Sequence, residues 1–420
     1  MSDDQQEASG PSEPAQEKKP AGRGWGIFFL RWLVGLSLLF GGIWVIPHRW
    51  CNRHADAWYD GDLETQQKLA TSVERWLNGE HGQPESMATL YEGEWLFAAY
   101  AMAGIAFGQM AIEHPELAER NAQSIETCIE KILKPLVQRF DKEAWGRGAL
   151  DVVKSIDAIE AIDRKPGHAA YLGYFNLLLS FHRMFKPDSK YAALNDAITD
   201  ALVFHLGQSR ILLLESYPEE VYPVDNCAVI ASVALFDKAT KSEDHQKMIK
   251  YWIAKCESDW IDPKTGLLYH SVKYSTGKPD DEGRGSTTCL ASYLLSFADE
   301  TLSRKLYEAV DRKLADSLLG FGAIRESPGS LKISRGKLDS GPIVFGFSVS
   351  ATGFGIAGSR IHGDRDGYRR IYATSYLFGT PDDRGNEMTY VAGGSLGNAL
   401  MLAMLTAQPV KNFEQARSKP

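Results

Sequence analysis

Four side chains that can hold or move a proton stand where apolar helical stretches begin. Glu92 and Glu94 lie in Tyr91-Glu92-Gly93-Glu94-Trp95, His168 follows Lys165-Pro166-Gly167, and Asp225 sits in Tyr222-Pro223-Val224-Asp225-Asn226-Cys227. Residue types of this kind suit acid–base chemistry, in which one carboxylic acid protonates a leaving oxygen while a second carboxylate, or His168, acts as base. Each has a plainer explanation. Carboxylates are favoured at a helix N-terminus by its dipole, Asp225 has the type and place of a cap, and a histidine near a helix start is often only hydrogen-bonded structure. Glu92 and Glu94, two residues apart, project about 200° from one another on a helix, so at most one faces any common cavity.

Around these acids lie groups suited to holding a polyhydroxylated ligand. Trp95, Tyr171, Tyr217 and Tyr222 supply aromatic faces, Asn226 and Cys227 follow Asp225 into the helix, and Arg284, Gly285 and Ser286 place a cation and a hydroxyl at another helix start. Exposed helix N–H groups at such a start suit an anionic or hydroxylated partner. Glu326 and Asp339 belong to a glycine- and proline-punctuated stretch from which a carboxylate can reach a neighbouring site.

These residues fall into a pattern. Six turns open apolar stretches rich in small residues: those at Glu92, His168 and Asp225, then Gly285-Ser286-Thr287-Thr288-Cys289, Phe347-Ser348-Val349-Ser350, and Gly393-Gly394-Ser395-Leu396-Gly397-Asn398. Between them lie more charged, amphipathic stretches. A helix that is apolar nearly all round belongs inside, and an amphipathic one covers an outer face. The expected fold is therefore all-α, an (α/α)6 toroid with short β-hairpin excursions, whose inner helices all begin at one mouth. A plain bundle or solenoid is the competing architecture. The inner helices are expected over 88–113, 168–185, 225–238, 286–298, 347–360 and 390–407. One outer helix is expected from Pro115 to about Phe140, another from Thr301 to Leu319, a short excursion over 144–163, and strand-like pieces over 210–222 and 267–274. The stretch 275–285 is expected to arch over the mouth, and 320–342 to be a long loop.

Length and composition fix the remaining divisions. The chain has 420 residues, is 44% hydrophobic and carries a formal charge of −8, which argues against a nucleic-acid partner, since those favour a basic footprint. Residues 1–24 are polar and without apolar period, a composition expected to be disordered. Residues 25–46 form an apolar run with tryptophans near its ends, long enough to cross a bilayer, and Arg31 lies close enough to one end to snorkel. No small-residue cleavage site follows, so an uncleaved signal-anchor is expected. The protein is then single-pass in the cytoplasmic membrane, in contact with lipid through 25–46, with 47–61 as a juxtamembrane linker, the toroid over 62–407 held outside the cytoplasm, and a polar tail over 408–420. The five cysteines match no zinc spacing; a Cys227–Cys289 disulfide and two buried thiols are both open.

No phosphate-binding loop, dinucleotide fingerprint, zinc-protease helix or serine nucleophile elbow is present, and no cofactor is expected. The six openings, with Tyr222 to Cys227 and Gly341 to Gly358 as the most distinctive stretches, resemble the six-hairpin toroid enzymes, a superfamily of glycoside hydrolases, polysaccharide lyases and sugar epimerases. The chain is also similar to the linalool dehydratase-isomerase group of toroids, in which Cys227 would correspond to a rim cysteine. The first resemblance implies an enzyme acting on a glycan or other polyhydroxylated substrate, with Asp225 and Glu92 or Glu94 as the acid–base pair. The second implies a lyase on a small alcohol, using Cys227, His168 and tyrosines in a narrow apolar cavity. A non-catalytic scaffold in the envelope is the reading from another class.

Overall fold

The computed structural model describes residues 23–79, 92–154, 167–329, 342–409 and 412–413, and the chain divides into two compact units, Met1–Arg49 and Trp50–Pro420. The tail expected over 1–24 lies outside the described residues apart from Arg23 and Gly24. In the first unit, α1 (Arg23–Cys51, which runs on into the second) is one apolar helix that continues through Pro47. Its side chains from Trp25 onward are largely exposed, among them Phe28, Leu38 and Phe40. A helix of that length with apolar side chains facing outward has the dimensions of a membrane span.

The second unit is all-α, with a ring of helices inside another. The inner ring runs α4 (Glu92–Glu113), α8 (Ala169–Phe185), α10 (Pro223–Thr240), α12 (Gly285–Leu295), α14 (Val349–Ile361) and α16 (Gly394–Leu405), each packed on the next. The last of these, α16, packs back onto α4, so the ring closes. Outside it, α3 (Leu63–Leu77) packs on α16, α5 (Ala118–Ile132) on α4 and α8, and α9 (Ala192–Gln208) on α8 and α10. The outer layer continues with α11 (Gln246–Lys255) on α10, α13 (Glu300–Lys313) on α12 and α14, and α15 (Arg365–Gly379) on α14. This is the (α/α)6 toroid. Consecutive inner and outer helices are antiparallel, so the N-termini of the inner helices and the C-termini of the outer ones share one pole, the mouth.

The inner helices can pack this closely because of the small residues that marked them. Gly173 in α8 is the sharpest case: a Cβ there would stand 2.9 Å from the Val229 backbone nitrogen of α10. Helix α4 is also apolar and long enough to cross a membrane, but it is buried in the ring. The core is aromatic and aliphatic, with Phe107, Phe175, Phe181 and Tyr293 fully enclosed. At the closed pole Phe413 packs between Phe181 and Phe297, so the tail expected to be polar contributes a core side chain.

Several boundaries differ from expectation, each for a local reason. The outer helix expected over 115–140 is broken by Pro135 into α5 and α6 (Pro135–Trp145), because proline cannot continue the ladder but suits a helix's first turn. The excursion expected over 144–163 contains α7 (Ala149–Lys154), and its remainder from residue 155 lies outside the described residues. The linker expected over 47–61 is helical: α2 (Ala55–Asp60) packs on α15, with Asp56 and Asp60 paired to Arg365 and Arg369. The strand-like pieces are single bridges joining Val221 to Val272, Ile261 to Leu268 and Tyr269 to Gly283. The helix expected to reach Leu319 stops at Lys313 and gives way to a hairpin of β1 (Ala315–Leu318) and β2 (Phe321–Ile324). Two further hairpins pair β3 (Ile343–Val344) with β4 (Phe347–Ser348), and β5 (Pro381–Arg384) with β6 (Glu387–Tyr390).

Candidate active site at the mouth

The first turn of α4 brings Glu94 to the mouth. Helix α6 crosses directly beneath it, close enough that a Cβ on Gly93 would lie 3.0 Å from the Leu136 carbonyl. The segment between α9 and α10 folds back over the same place. Asn226 holds it there, accepting from the Leu214 N–H at 2.8 Å and donating to the carbonyls of Leu214 and Tyr222 at 3.0 and 3.1 Å. The segment's Glu215 carbonyl in turn accepts from the Ala169 N–H at the start of α8. This fixes Tyr217, whose hydroxyl donates to the Glu94 carboxylate at 2.5 Å.

Asp225 stands in the first turn of α10, but it is not the cap. The N-cap is Tyr222, which makes no side-chain capping bond, and Asp225 instead accepts from the Tyr174 hydroxyl at 3.4 Å. The electrostatics follow from this half-enclosed setting. Burial raises the Glu94 pKa, and the Tyr217 hydrogen bond opposes it only in part. Burial raises Tyr217 as well, and the charges of Glu94, Asp225 and Asp141 add to the rise. Tyr174 is pushed well up by burial and by Asp225. Both tyrosines therefore stay protonated donors, and Glu94 keeps its proton to higher pH than an ordinary glutamate.

Beside this group His168 begins α8 in the left-handed region, φ 65°. Its Nδ1 lies 2.8 Å from Asp141 Oδ1, its ring stacks on Trp145, and it is fully buried. Asp141 also accepts from the Ala149 N–H at 2.9 Å. His168 Nε2 is buried with no hydrogen-bond partner among the described residues. His168 therefore sits behind the mouth surface, not on it, and Asp141 of α6 orients it.

A second arc of polar groups continues along the rim. The Tyr222 ring lies 5.1 Å from that of His270, Arg284 pairs with Asp281, and Glu326 accepts from Ser286 Oγ at 2.7 Å and from its N–H at 3.2 Å. Gly285 is required here, since a Cβ would stand 2.2 Å from the Arg325 carbonyl. The stretch from 275 to 285 bridges back onto Tyr269 and Val272 at this edge. Glu326 thus serves the first turn of α12 from outside the helix, in a buried pair with Ser286.

Three expected ligand contacts are core features instead. Tyr171 is buried and stacked on Phe97. Asn226 serves the backbone of its own loop. Cys227 is fully buried with its thiol against Cys256, and burial keeps it protonated; it is no rim nucleophile and is not bonded to Cys289, since all five cysteines are free. Trp95 is exposed at the rim, whereas the Glu92 side chain and Asp339 lie outside the described residues. A separate cavity of about 220 Å³ sits in the outer wall, lined by Cys289, Ser292, Tyr307, Asp311, Phe354 and Arg370; it does not join the mouth group.

No family model matches the chain, and no curated protein matches it. Among solved structures it is similar to a GH76 alpha-mannanase of Bacteroides thetaiotaomicron, at 8% identity over 76% of this chain and 86% of that one, with a TM-score of 0.44. It is also similar to a family 76 glycoside hydrolase from a bovine Bacteroides thetaiotaomicron strain, at 11% identity over 81% of this chain and 76% of that one, with a TM-score of 0.48. At these scores the toroid assignment stands on the ring closure within this chain itself.

Proposed function

We propose that this protein is a membrane-anchored enzyme that cleaves or rearranges a glycan by acid–base chemistry at the mouth of the toroid, outside the cytoplasm. The observation that carries the reading is the Glu94–Tyr217 pair beside Asp225. A carboxyl whose pKa is raised by burial is suited to act as a general acid, and Asp225 is a second carboxylate contributed by a different inner helix. In this scheme Glu94 protonates the departing glycosidic oxygen and Asp225 acts as base or nucleophile, its Tyr174 partner orienting it. Tyr217, Tyr222 and Trp95 offer ring faces to sugar. Helix α1 supplies the anchor.

The test is turnover of a panel of envelope-derived oligosaccharides by the full chain and by the Glu94→Gln and Asp225→Asn variants. Each variant is expected to lose about 10²–10⁴-fold in rate while still unfolding in one cooperative transition. Wild-type inactivity on the whole panel, or variants as fast as wild type, contradicts the proposal. A reporter fused after residue 420 that is active only outside the cytoplasm checks the orientation.

A further inference from the structure

One arc of the mouth is strongly apolar. Phe345 is 62% exposed, Val349 58%, Phe378 71% and Val391 60%. These residues come from the β3–β4 turn, the start of α14, the end of α15 and the segment entering α16, so antiparallel neighbours bring them to the same pole. Phe345 is also held at φ 51°, ahead of Gly346 at φ 84°. A bulky side chain in the left-handed region is strained, and the ring it carries here is exposed to solvent. Large exposed apolar groups gathered in this way mark a contact surface.

The same edge is where the toroid unit begins. Trp50, its first residue, packs edge-to-face on Tyr376 in the last turn of α15, with ring centroids 5.4 Å apart. Arg53 lies over both rings, at 5.6 and 5.5 Å. The residues preceding Trp50 are the apolar run of α1. A tryptophan and an arginine at the end of such a run are the residue types that settle at a lipid–water interface, and the apolar arc lies beside them on the same rim.

We infer that this arc rests on the lipid bilayer, so that the mouth opens at the membrane surface and takes a saccharide carried by a membrane lipid. The substrate half of this inference rests on the glycan-active reading; the surface half does not. Two apolar signals, a span and an interfacial patch, hold one face against lipid more firmly than either alone. A water-soluble glycan would gain nothing from that placement, whereas a lipid-borne one is delivered to Glu94 and Asp225 by diffusion in two dimensions.

The test uses the full chain in vesicles of phosphatidylethanolamine and phosphatidylglycerol. Spin labels are placed through Phe345→Cys, Phe378→Cys and Val391→Cys, and through Asp188→Cys and Glu243→Cys at the opposite pole, the native cysteines all being buried. Rim labels are expected to relax more with oxygen than with a water-soluble nickel chelate, by roughly threefold, and the polar-end labels to show the reverse. Rim labels that are as aqueous as the controls overturn the inference. So do labels shielded from both reagents with or without lipid, which would indicate a second copy or another protein on the arc. A Phe345→Asp/Phe378→Asp variant is expected to lose about tenfold in turnover of a vesicle-embedded glycolipid and to keep its rate on the matching soluble oligosaccharide. Equal loss on both overturns the substrate class. Wild-type silence toward both sinks the glycan reading, while the label pattern still decides the surface.

Discussion

In the proposed chemistry Glu94 is the acid, and burial gives its protonation a definite sign. Burial raises its folded-state pKa above the ordinary carboxylate value of about 4.3. Its contribution to stability is therefore fully present below that value and is lost as pH rises through the raised one. Glu94→Gln should remove this loss, so that in urea titrations the variant gains on wild type as pH rises from acid toward neutral. Tyr217 offers a second check. Its hydrogen bond favours the ionised carboxylate, so Tyr217→Phe should raise the Glu94 pKa further and move the alkaline limb of the kcat/KM profile upward. An unmoved limb would mean that Glu94 is not the acid. The His362 pKa is lowered to about 4 chiefly by burial. For a base the sign reverses: stability is whole above about 6.5 and falls as pH drops toward 4, and His362→Gln should flatten that decline. The placement of Glu94 and Asp225 at the starts of inner helices was legible in the sequence, which left Glu92 and Glu94 as alternatives. Asp141 was not, since it reads as one charge in Phe140-Asp141-Lys142-Glu143 until α6 crosses the start of α4.

The elements that carry these residues depend on how closely the inner helices approach. Gly173→Ala drives a methyl group to 2.9 Å from the Val229 backbone nitrogen, where no side-chain rotation relieves it. It should cost about 1–3 kcal/mol by chemical denaturation and should weaken activity by displacing α10, which carries Asp225. Full stability in this variant would contradict the tight α8–α10 packing. The periodicity of the sequence located the six inner helices because burial on all sides leaves a strong compositional mark. Short hairpins were expected, but not at these positions, for the opposite reason. Two of the three turns, Leu319-Gly320 and Phe345-Gly346, place a bulky apolar residue where Asn or Asp normally announces such a turn, and all the strands are too short for alternation to show. The end of α5 was marked by Pro135, but the apolar spacing on either side concealed the break.

At the scale of the whole molecule, closure of the ring is what gathers the separate helix starts into one site. Arg360 of α14 fastens the closed pole. It is buried, pairs with Glu113 of α4 at 2.7 Å, and donates to the Ala407 carbonyl at 2.9 Å and the Tyr59 carbonyl at 3.2 Å. Arg360→Ala should cost about 2–3 kcal/mol, less than a fully enclosed pair would because Glu113 keeps some access to water. A urea midpoint unchanged from wild type would show that the seam is held elsewhere. Ring order and the common mouth were readable from alternating composition. The division of the mouth into a polar acid–base side and an apolar arc was not, because the arc is assembled from single residues on four separate segments. The most direct measurement is a crystal structure of the Glu94→Gln/Asp225→Asn protein with a bound oligosaccharide. The scissile glycosidic oxygen should lie within about 3 Å of the residue 94 side chain, with residue 225 facing the adjoining sugar carbon. An oligosaccharide bound in the outer-wall cavity near Arg370, or in the mouth with both side chains out of reach, would contradict the assignment.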